Sequence, residues 1–188
     1  MNLIGLDLGQ RRDHTAIAVV EKQTQVMLIR TAERVMLGTS WNRVVERVRQ
    51  IATHPRMLNN CALAVDATGV GAPIVDMLRK ASLGCEITAV TITSGDRETE
   101  TAHGWNVPKR DLMTGLQLGL EEGEVRIAGR MKDLGSLIRE LIDIRVTGER
   151  IGADRVGQHD DLVIAVALAV WKARRKKKYN FFGAQRLF

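Results

Sequence analysis

Four aspartates of this sequence stand at the boundaries of apolar segments. Asp7 and Asp66 each end a short apolar run, and the pair Asp160–Asp161 precedes a long one. Clustered carboxylates repel one another, and they persist together when a cation neutralises them. Their oxygens are hard ligands that select Mg²⁺ or Mn²⁺. If the fold brings these residues together, we expect them to bind divalent metal ions.

The chemistry open to such a cluster is phosphodiester hydrolysis. Two divalent ions about 3.5–4 Å apart can clamp a phosphodiester, one activating water and the other stabilising the leaving oxygen. Each aspartate also has a structural alternative. Asp160 or Asp161 could cap the helix that follows, and Asp7 and Asp66 could form turns. The neighbouring His159 is expected to be structural, with a metal or phosphate contact as its alternative.

The elements that carry these aspartates are predicted to pack closely. Successive side chains of a strand point to opposite faces, so Gly5 shares a face with Asp7, and Ala64 shares one with Asp66. Small residues allow another element to approach. Residues 162–170 are apolar on every side, which is typical of a buried helix. Packed across the sheet, that helix would bring the acidic pair beside the other two aspartates.

The rest of the chain predicts a mixed β-sheet flanked by α-helices, an α/β fold. Strands are predicted at 2–8, 15–21, 25–35, 61–66, 86–93 and 124–128, and helices at 40–54, 73–81, 108–122, 134–146 and 159–174. The first three strands should form an antiparallel meander. Residues 94–106 are expected to be an exposed loop or small hairpin, and 148–155 a loop or edge strand. In the helix at 134–146, the residues predicted to face inward are Leu137, Ile138, Leu141 and Ile142.

Composition indicates one domain and an anionic partner. The 188 residues are 45% hydrophobic, and we assign residues 1–175 to the domain and 176–188 to a basic and aromatic tail. The net charge of +6 favours nucleic acid. Cys61 and Cys85 are too few for a disulfide framework and are expected to be buried free thiols. No membrane span is expected, because no apolar run is long enough, and residues 1–5 lack the basic region and long apolar stretch typical of a signal peptide.

Several motifs, taken in order, carry a family resemblance. Residues 5–9, 13–19, 65–73, 106–112 and 159–162 resemble the nuclease domain of tailed-phage terminase large subunits, with matching order and spacing from about residue 3 to 171. Each motif alone is weakly specific. The resemblance implies an RNase H-like fold and a Mg²⁺- or Mn²⁺-dependent endonuclease that uses two ions. Its expected reaction is cleavage of concatemeric viral DNA during genome packaging, with little sequence specificity.

The resemblance also assigns residue roles and partners. It implies catalytic, metal-binding roles for Asp7, Asp66 and Asp161. Asp160 would be a further metal ligand. Lys109 and Arg110 resemble DNA-contact residues, with a solvated helix start as the alternative. The implied partners are double-stranded DNA, an ATPase motor domain, the portal and the small terminase subunit, in the host cytoplasm and away from membranes.

One departure from the family concerns the motor. Large terminase subunits carry an ATPase before the nuclease, and this sequence has no Gly-x-x-x-x-Gly-Lys-Ser/Thr loop. The chain is therefore expected not to translocate DNA by itself. It is interpreted as either an excised nuclease domain or a stand-alone relative.

Three other functions remain as alternatives. Nucleotide-binding proteins of the actin, Hsp70 and sugar-kinase class also open with a strand and an Asp-x-Gly turn, but they need two such domains. A Holliday-junction resolvase would share the carboxylates and the final helix, and would prefer four-way junctions to linear duplex. A non-catalytic DNA-binding module would keep the basic surface without the carboxylate set.

Overall fold

A central mixed β-sheet organises the chain. The computed structural model describes residues 1–9, 13–69, 71–131, 133–147, 150–153 and 160–175. The strands are β1 (Asn2–Asp7), β2 (Ala16–Lys22), β3 (Met27–Arg34), β4 (Cys61–Asp66), β5 (Glu86–Thr93), β6 (Thr99–Thr101), β7 (Gly104–Pro108), β8 (Val125–Ile127), β9 (Ile144–Thr147) and β10 (Arg150–Ala153). The helices are α1 (Trp41–Ala52), α2 (Gly71–Lys80), α3 (Lys109–Glu121), α4 (Leu134–Asp143) and α5 (Asp161–Arg174). His159 and the predicted tail at 176–188 lie outside the described residues.

Eight strands form the main sheet in the order β6-β7-β5-β4-β1-β2-β3-β8. The predicted meander is present, because β1 pairs antiparallel with β2 and β2 with β3. Strands β4, β5 and β7 extend the sheet in parallel from the other side of β1. A separate two-stranded ribbon joins β9 and β10. This is the predicted mixed sheet flanked by helices.

The two faces of the sheet bury different helices. One apolar cluster packs β1 residues such as Ile4 and Leu6 against α1 and α2. The other packs the opposite face, including Leu3 and Ala64, against α3, α4 and α5. The alternation of apolar residues along β1 and β4 therefore serves two cores.

Helix α5 lies directly on the centre of the sheet. Its residues from Asp161 to Trp171 are all buried, as its uniformly apolar sequence predicted. Gly5 of β1 permits this contact, because a Cβ there would lie 1.8 Å from the backbone oxygen of Ala165. No helix among the described residues is long and apolar enough to cross a membrane.

Four local predictions need correction. The small hairpin offered as one alternative for residues 94–106 is present as β6 and β7, but β7 continues to Pro108, where a helix was predicted to begin, and α4 ends at Asp143 with β9 following. The prediction that Ile138 and Ile142 face inward is wrong, since they are 40% and 73% exposed. Glu140 is buried on that helix instead. The two cysteines are free, but they are partly exposed rather than buried.

Candidate active site

Two neighbouring parallel strands bring Asp7 and Asp66 to the same edge of the sheet. In the register of β1 and β4, Leu6 lies opposite Val65, so the two aspartates follow at the next position of each strand. The chain turns sharply after Asp66, where Gly69 has a φ of 65°, in the left-handed region that favours glycine. The backbone amide of Thr68 donates to Asp66 Oδ1 at 2.8 Å.

The start of α5 brings Asp160 and Asp161 to this edge. Because α5 packs across β1 at Gly5, its N-terminus reaches the ends of the central strands. A cleft of about 410 Å³ results, and all four predicted metal-binding aspartates line it. The complete lining is Asp7, Leu8, Gly9, Asp13, Asp66, Thr68, Ile92, Lys109, Asp160, Asp161 and Ile164.

The carboxylates of this cleft influence one another's protonation. Burial raises the pKa of Asp7 well above its ordinary value. The charges of Asp66, Asp161 and Asp160 raise this pKa further, in that order, whereas Lys109 lowers it. The cleft is therefore an unfavourable place for an uncompensated negative charge, and a bound cation would be stabilised there.

The pKa of Asp66 is raised as well. Burial is the largest cause, and hydrogen bonds from Thr68 and the positive charge of Lys109 act against it. Burial thus raises the pKa of both Asp7 and Asp66. Raised carboxyl pKa values are expected where carboxylates act together at a functional site.

Among the described residues, Lys109 makes the shortest cation contact with the acidic pair. Its Nζ donates to Asp160 Oδ2 at 2.6 Å, and both side chains are partly exposed at the cleft. Asp160 stands at the N-cap position of α5 but forms no side-chain cap hydrogen bond within the described part of the chain. The alternative in which Asp160 merely caps the helix is therefore wrong.

Arg110 lies apart from the cleft lining. It is exposed, and its guanidinium lies 3.5 Å from Asp96 Oδ1 and 3.7 Å from Asp111 Oδ1. Lys109 and Arg110 are neighbours at the start of α3, yet only the lysine faces the aspartates. Lys109 lines the cleft and Arg110 does not. Their contacts with DNA stay predictions.

Sequence reasoning missed Asp13, Glu140 and Arg34. Asp13 lies in the cleft lining, and the signal that could have found it was its place at the start of residues 13–19, one of the segments that carry the family resemblance. Glu140 is a buried carboxylate that accepts backbone N–H groups from the start of α5 and a hydrogen bond from Arg34. No pattern in the sequence links these last two residues, which are 106 positions apart.

The donor set suits a hard divalent cation. Four carboxylates from β1, β4 and α5 share one cleft, and their mutual repulsion is the feature that such an ion would relieve. Among the described residues, no three acidic, histidine or cysteine side chains already form a closed ligand group. Asp160 is held by Lys109 in this arrangement, so binding would require the side chains to close on the ion.

The sheet, the buried α5 and the strand-end carboxylates define an RNase H-like α/β fold. Over 178 residues, the chain is 25% identical to the terminase large subunit of Thermus phage G20c, covering 95% of this chain and 33% of that protein. The chain therefore spans about a third of the length of the curated relatives it matches. No family model matches it.

Two solved structures carry the same fold. The large terminase nuclease of phage G20c superposes with a TM-score of 0.65 at 22% identity, covering 92% of this chain and 82% of that one. The nuclease domain of the SPP1 large terminase, solved with bound Mn, gives a TM-score of 0.59 at 13% identity, covering 91% and 85%. These matches confirm the predicted fold and the resemblance to terminase nuclease domains over most of the chain.

Proposed function

We propose that this chain is a Mg²⁺- or Mn²⁺-dependent DNA endonuclease of the kind that cuts concatemeric viral DNA during genome packaging. The observation that carries the proposal is the cleft itself. It gathers Asp7, Asp66 and the pair Asp160–Asp161 from two strands and one helix, with Lys109 beside them. Similarity to terminase large subunits supports the biological setting.

The proposed ligands are Asp7, Asp66 and Asp161, with Asp160 as a further ligand. Two bound ions would supply Lewis-acid polarisation of the scissile phosphate and a hydroxide nucleophile. The manganese in the SPP1 nuclease domain supports a divalent ion here. The chain's own contribution is to hold the carboxylates on rigid elements, because β1, β4 and α5 pack in the core.

Lys109 is proposed to act at the phosphate. Its ammonium lies in the cleft and bonds to Asp160, so an ion taken up by this aspartate would free the lysine to contact a DNA phosphate oxygen. Arg110 is proposed to bind the DNA backbone farther out. Contacts of this type predict strong salt dependence and little sequence preference.

The remaining partners follow from the terminase resemblance. We propose that an ATPase motor moves the DNA, and that the portal and small terminase subunit control when this nuclease cuts. Each acts in the host cytoplasm, where the concatemer is packaged. On this proposal the isolated nuclease cuts slowly, because its timing is supplied by the assembly.

The test is plasmid cleavage by aspartate variants. Asp66→Asn and Asp161→Asn should each reduce nicking and linearisation of supercoiled plasmid to the level seen with EDTA, because each removes a charged ligand at nearly constant volume. Asp76→Asn is the matched control, since Asp76 is an exposed residue of α2 that pairs with Arg79. Circular dichroism should report an unchanged fold for all three variants.

Two results would contradict the proposal. Normal plasmid cleavage by either active-site variant in Mn²⁺ would show that the mutated carboxylate is not required for the reaction. Preferential cutting of a four-way junction over linear duplex would instead identify a resolvase-like nuclease, which is the alternative that shares the cleft.

A further inference from the structure

The start of α5 raises a question about hydrogen bonding. The first amide groups of a helix have no acceptor within the helix, and an aspartate at the N-cap position commonly supplies one. Asp160 occupies that position with φ −121° and ψ 14°, and it makes no such bond among the described residues. Its carboxylate accepts the ammonium of Lys109 instead.

A residue of another helix supplies the missing acceptor. Glu140 of α4 is 5% exposed, and its Oε2 accepts the backbone N–H of Leu162 at 2.9 Å and that of Val163 at 3.2 Å. One carboxylate oxygen thus satisfies two of the helix's first amides from outside the helix. Its negative charge also lies at the positive end of the α5 dipole, which is favourable.

Arg34, the last residue of β3, ties this cap to the acidic site. Its Nη2 donates to Glu140 Oε1, and its Nε lies 3.7 Å from Asp161 Oδ2. One guanidinium therefore faces two buried carboxylates that would otherwise repel each other. Because Arg34 ends β3 and Glu140 lies on α4, the start of α5 is fixed from two directions.

We propose that Glu140 is a positioning residue for the metal site. By capping α5 from outside, it leaves the Asp160 carboxylate in the cleft and, with Arg34, sets the position of Asp161. This inference rests on the proposed function, because it concerns how the same carboxylates bind Mn²⁺. Glu140 is absent from the cleft lining and acts through the helix.

The capping role has a specific consequence. Without an acceptor at position 140, the amides of Leu162 and Val163 are unsatisfied, and Asp160 occupies the N-cap position from which an aspartate ordinarily accepts such amides. We therefore expect Asp160 to turn from Lys109 to its own helix when Glu140 is removed. The metal site would then lose a ligand whose residue has not been mutated.

The experiment measures Mn²⁺ affinity of the full chain by titration calorimetry, below the melting temperature of every variant. Glu140→Ala should weaken Mn²⁺ binding about 10- to 100-fold, the usual effect of removing a residue that orients metal ligands. Glu140→Gln should have a Mn²⁺ affinity between those of the wild type and Glu140→Ala, because its amide oxygen still accepts hydrogen bonds from α5 while its NH₂ group faces Arg34. Val48→Ala is the control for lost stability, since Val48 is buried in the core on the opposite face of the sheet.

A second readout does not depend on metal. Hydrogen exchange of the Leu162 and Val163 amides should accelerate in Glu140→Ala and remain slow in Val48→Ala. Unchanged exchange would overturn the capping role, and unchanged Mn²⁺ affinity would overturn the positioning role. If Mn²⁺ binds the wild type and is lost in Asp161→Asn but retained in Glu140→Ala, the proposed function stands and this inference alone fails. If the wild type binds no Mn²⁺, both fail.

Discussion

Replacing Gly5 by alanine should separate α5 from the sheet. An ideal Cβ at Gly5 would lie 1.8 Å from the backbone oxygen of Ala165, 2.9 Å from its carbonyl carbon and 3.0 Å from the backbone nitrogen of Ala169. All three atoms belong to the main chain of α5, so no side-chain rotation can relieve the clash. A carbon–oxygen contact needs about 3.3 Å, and the helix or strand must therefore move by about 1.5 Å.

The cost of this movement follows from its place in the core. Overpacking a core costs about 1–3 kcal/mol, and sometimes more. Because β1 and α5 are both buried here, we expect Gly5→Ala to lower the free energy of unfolding by about 3 kcal/mol, the upper end of that range. For a domain of this size, that loss corresponds to a fall in Tm of about 6–12 °C.

The rate of plasmid cleavage by Gly5→Ala should decrease by a larger factor than the fraction of folded protein. Gly5 is two residues before Asp7, and α5 carries Asp160 and Asp161. A displacement of about 1 Å at an active site can reduce the rate about 100-fold. Plasmid cleavage in Mn²⁺ at a temperature where the variant is folded should therefore decrease by about that factor.

The matched control is Gly135→Ala, a glycine-to-alanine change in the first turn of α4. Apart from its chain neighbours and the backbone of its own helix, no described atom lies within 4 Å of a Cβ at this position. The change should leave cleavage intact and stabilise the fold by about 0.4–1 kcal/mol, since alanine loses less backbone entropy on folding. A Gly5→Ala variant with the Tm and cleavage rate of the wild type would refute the close packing of β1 and α5.

Two further predictions concern the charges of the site. Burial raises the pKa of Asp7 and Asp66, and that of Glu140 to about 7, so the folded state binds more protons than the unfolded state above the ordinary carboxyl pKa. The free energy of unfolding without metal should therefore fall as pH rises from about 5 to 8. Mn²⁺ should raise the Tm more at pH 8 than at pH 5. A Tm in EDTA that increases with pH would contradict this prediction. Lys109→Gln should reduce plasmid cleavage on the order of 100-fold, as expected for a cation aimed at the reacting group, and Arg110→Gln only a few-fold at the same salt concentration; equal losses would show that both residues serve general DNA binding.

The elements that carry the aspartates were predictable because their patterns are local. Alternating residues along β1 and β4 indicated two buried faces, and Gly5 indicated close packing by another element. The continuous apolar sequence of α5 indicated a helix buried on all sides. These local signals were sufficient to predict that Asp7, Asp66 and the acidic pair lie close together.

The missed features depend on distant partners. Strand β7 was predicted only as part of a possible small hairpin, and its parallel pairing with β5, which joins that hairpin to the main sheet, was not predicted. On α4, apolar periodicity favoured burial of Ile142, whereas Glu140 is buried because Arg34 and the amides of α5 surround its carboxylate. A charged residue can be buried when it is paired, and its partners are not visible from the periodicity of its own helix.

Helix α5 links stability to chemistry because it is held at separate points along its length. Gly5 sets its distance from the sheet, and Glu140 holds its first turn. At its other end, Arg175 bonds to Glu98 at 2.5 Å and its guanidinium lies 3.4 Å from the ring centre of Trp105. Asp160 and Asp161 are next to the Glu140 contact and far along the helix from Arg175. Loosening the distant contact would therefore weaken packing of the helix end, whereas loosening the first turn changes the direction of the carboxylates. The metal site thus depends most on the contacts that fix the first turn of α5.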